Sequence, residues 1–209
     1  MTRPAGQEED LVTRLEGLGH EVLHCPLIAI EPLGDDPIDV SEYDWVVLTS
    51  ANGAREFRRR ANGRMPRVAA IGPATAEVIG HADLVARVST QEGLLEELPR
   101  PLGRVLVAAA EGARRLLVDE LDADFLALYR TLELRPEQPP AGDLCLLASA
   151  SAARAFGALR TGIPAVSIGP ETTRAAREAG VEILGEADSH DVAGIVAAVG
   201  LIASATREP

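Results

Sequence analysis

Aromatic side chains make up only 3% of the 209 residues, although 46% are hydrophobic, so any core must be built from Val, Leu, Ile and Ala. Cysteine is scarce as well. Cys25 and Cys145 stand 120 positions apart inside apolar runs, without the close spacing of metal sites, and both are expected to be core thiols. The four histidines, His20, His24, His81 and His190, are dispersed, and neither a metal cluster nor a Ser-His-Asp arrangement can be assembled from them. There is no basic block either. With a net charge of -12 and scattered cations, the chain does not fit a protein that lives by gripping nucleic acid or anionic lipid, because counterion release needs clustered Lys and Arg. The longest apolar stretch, "AGIVAAVGLIASA" from Ala193, is too short to span a bilayer, and "MTRPAGQEED" lacks the pattern of a signal peptide. These absences predict a cytoplasmic protein with neither a membrane nor a nucleic-acid partner. No Walker pattern or GxGxxG is present, so a nucleotide cradle has no support.

What the chain does contain is a repeat. "LTSANGAREF" from Leu48 returns as "LASASAARAF" from Leu147, with Ser50 and Ser149, Arg55 and Arg154, and Phe57 and Phe156 each 99 positions apart. "AIGPATAEVI" from Ala70 returns as "SIGPETTRAA" from Ser167, with Gly72 and Gly169 97 apart. Each copy reads as strand, small polar loop, helix, strand, Gly-Pro loop and helix, the alternation of parallel α/β units. The period is domain-sized, which implies a duplicated domain and no solenoid. A chain of this length suits one large domain or two of about 100 residues.

Periodicity supplies the elements. Leu11, Val12, Leu15 and Leu18 repeat at helical spacing up to Gly19. "EVLHCPLIAIEPL" is extended and broken by Pro26 and Pro32. "YDWVVLTS", "PRVAAIG" and "RVLVAAA" are short apolar strands of the buried parallel type. "ANGAREFRRRANG" and "GARRLLVDELD" are helical, "FLALYRTLEL" is extended, and "RPEQPPAGD" is a Pro-rich loop. Then come strand "DLCLLAS", a helix, strand "AVSIG", a helix, strand "VEILG" and a final helix from about Asp191.

Small polar residues follow the strands. In open parallel sheets ligands bind outside the carboxyl ends of the strands, where each following helix presents free N–H groups and the positive end of its dipole. Thr49, Ser50 and Asn52, then Gly72 and Thr75, then Ser149 and Ser151, then Gly169 and Thr172 thus form four candidate anion-receptive loops, two per copy. Ser, Thr and Asn are equally the ordinary caps of helices and Gly-Pro an ordinary turn, so any single loop is explained as well by structure alone.

The quoted motifs resemble those of the uroporphyrinogen-III synthase family. The similarity lies in "TRPAGQ" at Thr2, "PLIAIEPL" at Pro26, "TSANGA" at Thr49, "AIGPATA" at Ala70, "TQEGLL" at Thr90, "LYRT" at Leu128 and "SIGPETT" at Ser167, and so covers nearly the whole chain. Each motif alone is weak; their order and spacing together are specific. The resemblance implies a cofactor-free lyase that cyclises the linear tetrapyrrole hydroxymethylbilane with loss of water, through a spiro intermediate and with inversion of the terminal ring. It implies an α/β fold of two similar parallel-sheet, flavodoxin-like lobes. One lobe is discontinuous, 1–33 with 128–209; the other, 34–127, is inserted into it. Extended connectors around 27–33 and 128–134 join the lobes, with the substrate in the cleft between.

The substrate carries eight carboxylates, so the net negative charge of the protein has to be offset locally. Screening over about 8 Å lets the loops and a few arginines such as Arg3 decide binding. The resemblance makes Tyr129 of "LYRT" the catalytic residue, a phenol able to assist departure of the hydroxyl; packing of the connector is its alternative role. No metal and no cofactor are expected, and the protein is expected to act as a monomer on its small-molecule substrate. Some positions depart from the family. Ala108, Ala109 and Ala110 stand where Pro-Arg-Gly is frequent, "SHDVAG" replaces a Thr-containing motif, and the strand before "TRP" is nearly absent. The alanine run and the missing strand favour the alternative of a two-lobed binding or regulatory protein that has lost catalysis; Tyr129, Thr75 and Thr172 oppose it.

Overall fold

The fold is that of a computed structural model describing residues 1–205. Along the chain run α1 (Glu9–Gly17), β1 (Ile28–Pro32), β2 (Ile38–Asp39), β3 (Trp45–Leu48), α2 (Ala51–Arg60), β4 (Ala61–Asn62), β5 (Arg67–Ala70), α3 (Pro73–Ile79), β6 (Leu84–Val85) and α4 (Gln91–Glu97). There follow β7 (Val105–Ala110), α5 (Leu116–Leu121), β8 (Asp124–Glu133), β9 (Cys145–Leu147), α6 (Ala150–Ala158), β10 (Ala165–Ser167), α7 (Pro170–Glu178), β11 (Ile183–Glu186) and α8 (Val192–Ala205). Two compact units result. Unit 1 is Met1–Ala29 together with the chain from Leu132 onward, and unit 2 is Ile30–Thr131. These boundaries fall inside β1 and β8, whereas the sequence expectation set them at 33 and 128, near the ends of the extended segments.

In unit 2 the strands β8, β7, β3, β5 and β6 lie side by side and parallel, with β1 beyond β8. Alternation along β3, β5 and β7 builds two cores. Trp45, Val47, Ala69, Val105 and Val107 face α4 and α5 through Leu94, Leu98 and Leu117. Val46, Leu48, Val68, Leu106 and Ala108 face Ala54 and Phe57 of α2. A sheet buried on both faces needs apolar residues at every position, which is why the strands read as continuous apolar runs.

Counted along the chain, the five parallel strands are ordered 3-2-1-4-5. That differs from the flavodoxin order 2-1-3-4-5, so the flavodoxin-like expectation is corrected. The chain adds β5 and β6 on one side of β3 and then reverses to add β7 and β8 on the other. The reversal leaves a switch point between β3 and β7, the place where doubly wound sheets bind ligands.

In unit 1 the sheet order is β11-β10-β9, all parallel. Cys145 and Leu147 face α6 and α7 around Phe156, while Leu146 and Val166 face α1 and α8 around Leu11, Leu15 and Ile195. Phe57 and Phe156, the repeat-related pair, are 0% and 2% exposed, each the central filler of its own core. The helix pairs correspond as well: α2 packs on α3, and α6 on α7. Residues before α1 run beside β9. Thr2 Oγ1 donates to the Leu146 carbonyl at 3.0 Å, and the Cys25 N–H donates to the Met1 carbonyl at 2.9 Å.

The extended segments 27–33 and 128–134 are bonded within each unit. The Leu33 N–H donates to the Leu128 carbonyl and the Leu134 N–H to the Leu27 carbonyl, both at 2.9 Å. The partner number falls as the chain number rises, so these two stretches are antiparallel. The two-residue strands β2, β4 and β6 were not expected from the sequence, because two residues carry no measurable alternation.

Candidate functional site

At the carboxyl end of β3 the chain turns into α2. Ser50 is its N-cap, extended at φ -166° and ψ 154°, and its Oγ accepts the Gly53 N–H at 3.0 Å. The same Oγ lies 2.9 Å from the Tyr129 hydroxyl, 79 positions away in sequence. A cap, a helix amide and a phenol therefore form one chain of hydrogen bonds. A Cβ at Gly53 would stand 3.1 Å from Ser50 Oγ, close enough that the hydroxyl would have to shift, and 3.8 Å from the Tyr129 ring.

Tyr129 is aimed by an irregularity in β8. Ala109 pairs with Ala127, but Ala110 pairs with Tyr129, so Leu128 and Tyr129 together oppose one residue of β7. A bulge of this kind breaks the alternation of faces. Its consequence is that the consecutive residues Leu128 and Tyr129 join the same core cluster. The Tyr129 carbonyl accepts the Glu111 N–H at 2.8 Å, which fixes the backbone there. Tyr129 is 6% exposed, and burial pushes its pKa above the usual phenol value, an effect the Ser50 bond opposes. The phenol is therefore a neutral proton donor throughout the physiological range.

The other predicted residues of unit 2 are placed differently. Thr49 is half-buried at the end of β3, and the Asn52 side chain accepts from Arg55 at 2.8 Å on the first turn of α2. Thr75 is buried, and its N–H and that of Ala76 both donate to the Gly72 carbonyl at 3.1 Å. Pro73 at the start of α3 has no N–H, so this loop offers fewer backbone donors than its sequence implied.

Unit 1 repeats the pattern without the tyrosine. Ser149 caps α6 at φ -163° and ψ 155°, accepting the Ala152 N–H at 3.2 Å, and Ser151 is half-buried in the first turn. Thr172 is buried, and its N–H and that of Thr173 donate to the Gly169 carbonyl at 3.0 and 2.9 Å. The neighbouring Thr173 is tied by hydrogen bonds to the buried Ser167 and to Glu186 at the surface. Arg3 is half-buried, and its carbonyl is 2.8 Å from His24 Nε2. The structure thus brings Ser50 and Tyr129 into direct contact; the other predicted residues lie along the strand ends of their own units.

A groove of about 580 Å³ in unit 1, walled by Leu15, Leu23, Leu144, Leu184 and Ile202, contains none of these residues. Among the described residues, no group of three His, Cys, Asp or Glu is placed to hold a metal, and no helix is long and apolar enough to cross a membrane.

The model of the family described as uroporphyrinogen-III synthase HemD matches residues 9–197. The chain belongs to the uroporphyrinogen-III synthase family. A uroporphyrinogen-III synthase of Synechococcus elongatus is 24% identical over 95% of this chain and 92% of its own length. Among solved structures, a mutant uroporphyrinogen III synthase of Thermus thermophilus matches with a TM-score of 0.64 at 19% identity, over 97% of this chain and 96% of its own. The uroporphyrinogen-III synthetase of Helicobacter pylori matches with a TM-score of 0.58 at 17% identity, over 90% and 96%. At those identities the structures speak for the fold, mixed α/β with parallel sheets. The activity that the family and the curated relative indicate is that of uroporphyrinogen-III synthase, a lyase of tetrapyrrole and haem biosynthesis, and the inactive alternative is not favoured.

Three features of this candidate site escaped sequence reasoning. The contact between Ser50 and Tyr129 joins distant positions and has no local signal. The bulge at Leu128–Tyr129 is equally silent, since "FLALYRT" reads as an unbroken strand. Gly53 did carry a signal, a glycine in the first turn of a helix, where it weakens the helix unless space demands it.

Proposed function

We propose that the chain cyclises hydroxymethylbilane using Tyr129 as the proton donor to the departing hydroxyl, and that Ser50 positions it. The observation that carries this reading is the chain from the Gly53 N–H to Ser50 Oγ to the Tyr129 hydroxyl, beside the switch point of the sheet. Gly53 occupies one lone pair of Ser50. When Ser50 then donates to the phenol oxygen, the phenol hydrogen points away from the helix and is available to the substrate. The amide at the helix N-terminus, through Ser50, also draws electron density from the phenol and makes it a better donor.

The reaction breaks one C–O bond, releases water and closes a ring without net oxidation or reduction. Acid assistance and a binding surface that fixes the terminal ring in its inverted pose are sufficient, and no cofactor is invoked. Ser149 and Ser151 with Gly169 and Thr172, and Thr49 and Asn52 with Gly72 and Thr75, are proposed to bind substrate carboxylates, assisted by Arg3. Every one of the 20 Lys and Arg positions is an arginine, whose planar fork suits carboxylates. Units 1 and 2 are proposed to be the two lobes of the enzyme, with 27–33 and 128–134 as its connectors. The protein is proposed to work as a cytoplasmic monomer, without a nucleic-acid partner.

The test is turnover of hydroxymethylbilane generated in situ, with the isomers separated. An excess of the inverted type III product over the uninverted type I product supports the reading. Type I alone, at the spontaneous rate, refutes it.

A further inference from the structure

The internal repeat extends to a further loop, at "TQEGLL" in unit 2 and "SHDVAG" in unit 1. In unit 2 the backbone of Gly72 is covered by Ser89: a Cβ at Gly72 would lie 2.4 Å from Ser89 Oγ. In unit 1 the backbone of Gly169 is covered by His190, and a Cβ there would lie 2.7 Å from its Cδ2 and 2.9 Å from its Nε2. Both glycines are extended, at φ -178° and 168°, so space and not backbone angle excludes a side chain.

Ser89 and His190 hold the same place in the chain. Each stands immediately before a residue that caps a helix turn. Thr90 accepts the Gly93 N–H at 3.0 Å, and Asp191 accepts the Gly194 N–H at 2.8 Å. The glycine three residues on is dictated by the same turn, since a Cβ at Gly93 would lie 2.4 Å from the Val88 carbonyl and one at Gly194 1.9 Å from the Ser189 carbonyl. One turn is therefore built twice, with a hydroxyl over the first glycine and an imidazole over the second.

We propose that His190 is a substrate-binding residue of unit 1 whose imidazole, packed over the Gly169 backbone, donates an N–H from its outer side to a substrate carboxylate, the place in the turn that Ser89 fills in unit 2. The proposal rests on the reading of the strand-end loops given above. Asp191, the adjacent carboxylate, is engaged by Ser189 Oγ at 2.9 Å and by the Gly194 N–H. On α7, Glu171 is paired with Arg174 at 2.8 Å. The His190 ring itself makes no hydrogen bond or ion pair among the described residues. Its donor capacity is therefore open on the side away from Gly169. The imidazole in place of a hydroxyl also makes the two loops chemically unequal, as a site that must hold one end of a linear substrate apart from the other requires.

The test compares the wild-type chain with H190S, which installs the unit 2 side chain, and with H190Q, which keeps an N–H donor on a similar frame. Initial rates over a range of hydroxymethylbilane concentrations give KM and kcat separately, and thermal melts report the fold. Loss of a hydrogen bond to a charged group predicts about a tenfold rise in KM for H190S, with kcat within about twofold. H190Q is expected to recover most of that loss. G169A, whose Cβ displaces the imidazole, should raise KM in the wild-type background and add little in H190S. An unchanged KM in H190S, or a loss that H190Q does not recover, overturns the role of His190 while leaving the reaction standing. A wild-type chain without turnover overturns the reaction assignment itself.

Discussion

Replacing Tyr129 by Phe removes one oxygen and leaves everything else that the ring does. The ring packs in the cluster of Val46, Phe57, Leu106 and Leu128, and all of that burial survives the change. The lost interaction is the 2.9 Å bond to Ser50, a neutral pair worth about 1 kcal/mol net. Ser50 keeps the Gly53 N–H at 3.0 Å, so no cap is lost. The penalty is further reduced because the phenol no longer has to be desolvated at a position 6% exposed. A change of this size shifts the melting temperature by about 2 to 4 °C in a chain this long. Catalysis should respond far more strongly, because general-acid assistance typically contributes about 10²- to 10⁴-fold. The loops that hold the carboxylates are untouched, so the product that does form on the enzyme should remain mainly type III. Spontaneous closure to type I competes once the enzyme is slow, and the assay therefore needs enzyme in excess over hydroxymethylbilane, with the isomer ratio and the single-turnover rate read together. A wild-type rate in the Phe variant would remove Tyr129 from the chemistry. A variant that melts far below the wild type would return Tyr129 to a packing role.

Thr75→Val and Thr172→Val preserve shape at two buried positions, so each should fold and each should weaken turnover by about 1 to 3 kcal/mol if its hydroxyl meets a carboxylate; unchanged kinetics in both would reduce these loops to helix starts. Phe156→Ala empties the centre of the unit 1 core and should cost about 3 to 5 kcal/mol of stability in denaturant unfolding, and a loss under about 1 kcal/mol would mean the site collapses freely. Burial pushes the Cys145 thiol up from 9.0 to about 12, so between those values the unfolded chain has released a proton that the folded chain retains. Stability should fall as pH rises through that window, by up to about 1.4 kcal/mol per pH unit, and Cys145→Ala should flatten the profile there; identical profiles above that lower value would contradict the assignment.

The sequence by itself determined what is local. Ser50 and Ser149 sit where an apolar strand meets helical spacing, and both cap with nearly the same angles, because a hydroxyl before a helix has one good use. The repeats located equivalent helices, strands and core phenylalanines, because burial on both faces of a parallel sheet leaves continuous apolar runs. The tertiary structure decided what depends on pairing between distant segments. Strand order is one case: the same βα units could have been wound as 2-1-3-4-5, and the side on which β6 is added makes the order 3-2-1-4-5 and leaves β7 as the neighbour of β3 across the switch point. The bulge that turns Tyr129 into the same core as Leu128 is another, since it exists only in the register between β7 and β8. His190 reads as a surface or strand residue in sequence, and only the folded chain sets it over the backbone of Gly169. Helix caps and periodicity are written in neighbouring residues, whereas register, strand order and the meeting of Ser50 with Tyr129 are settled by which backbone hydrogen bonds and which side-chain volumes fit together once the whole sheet has formed.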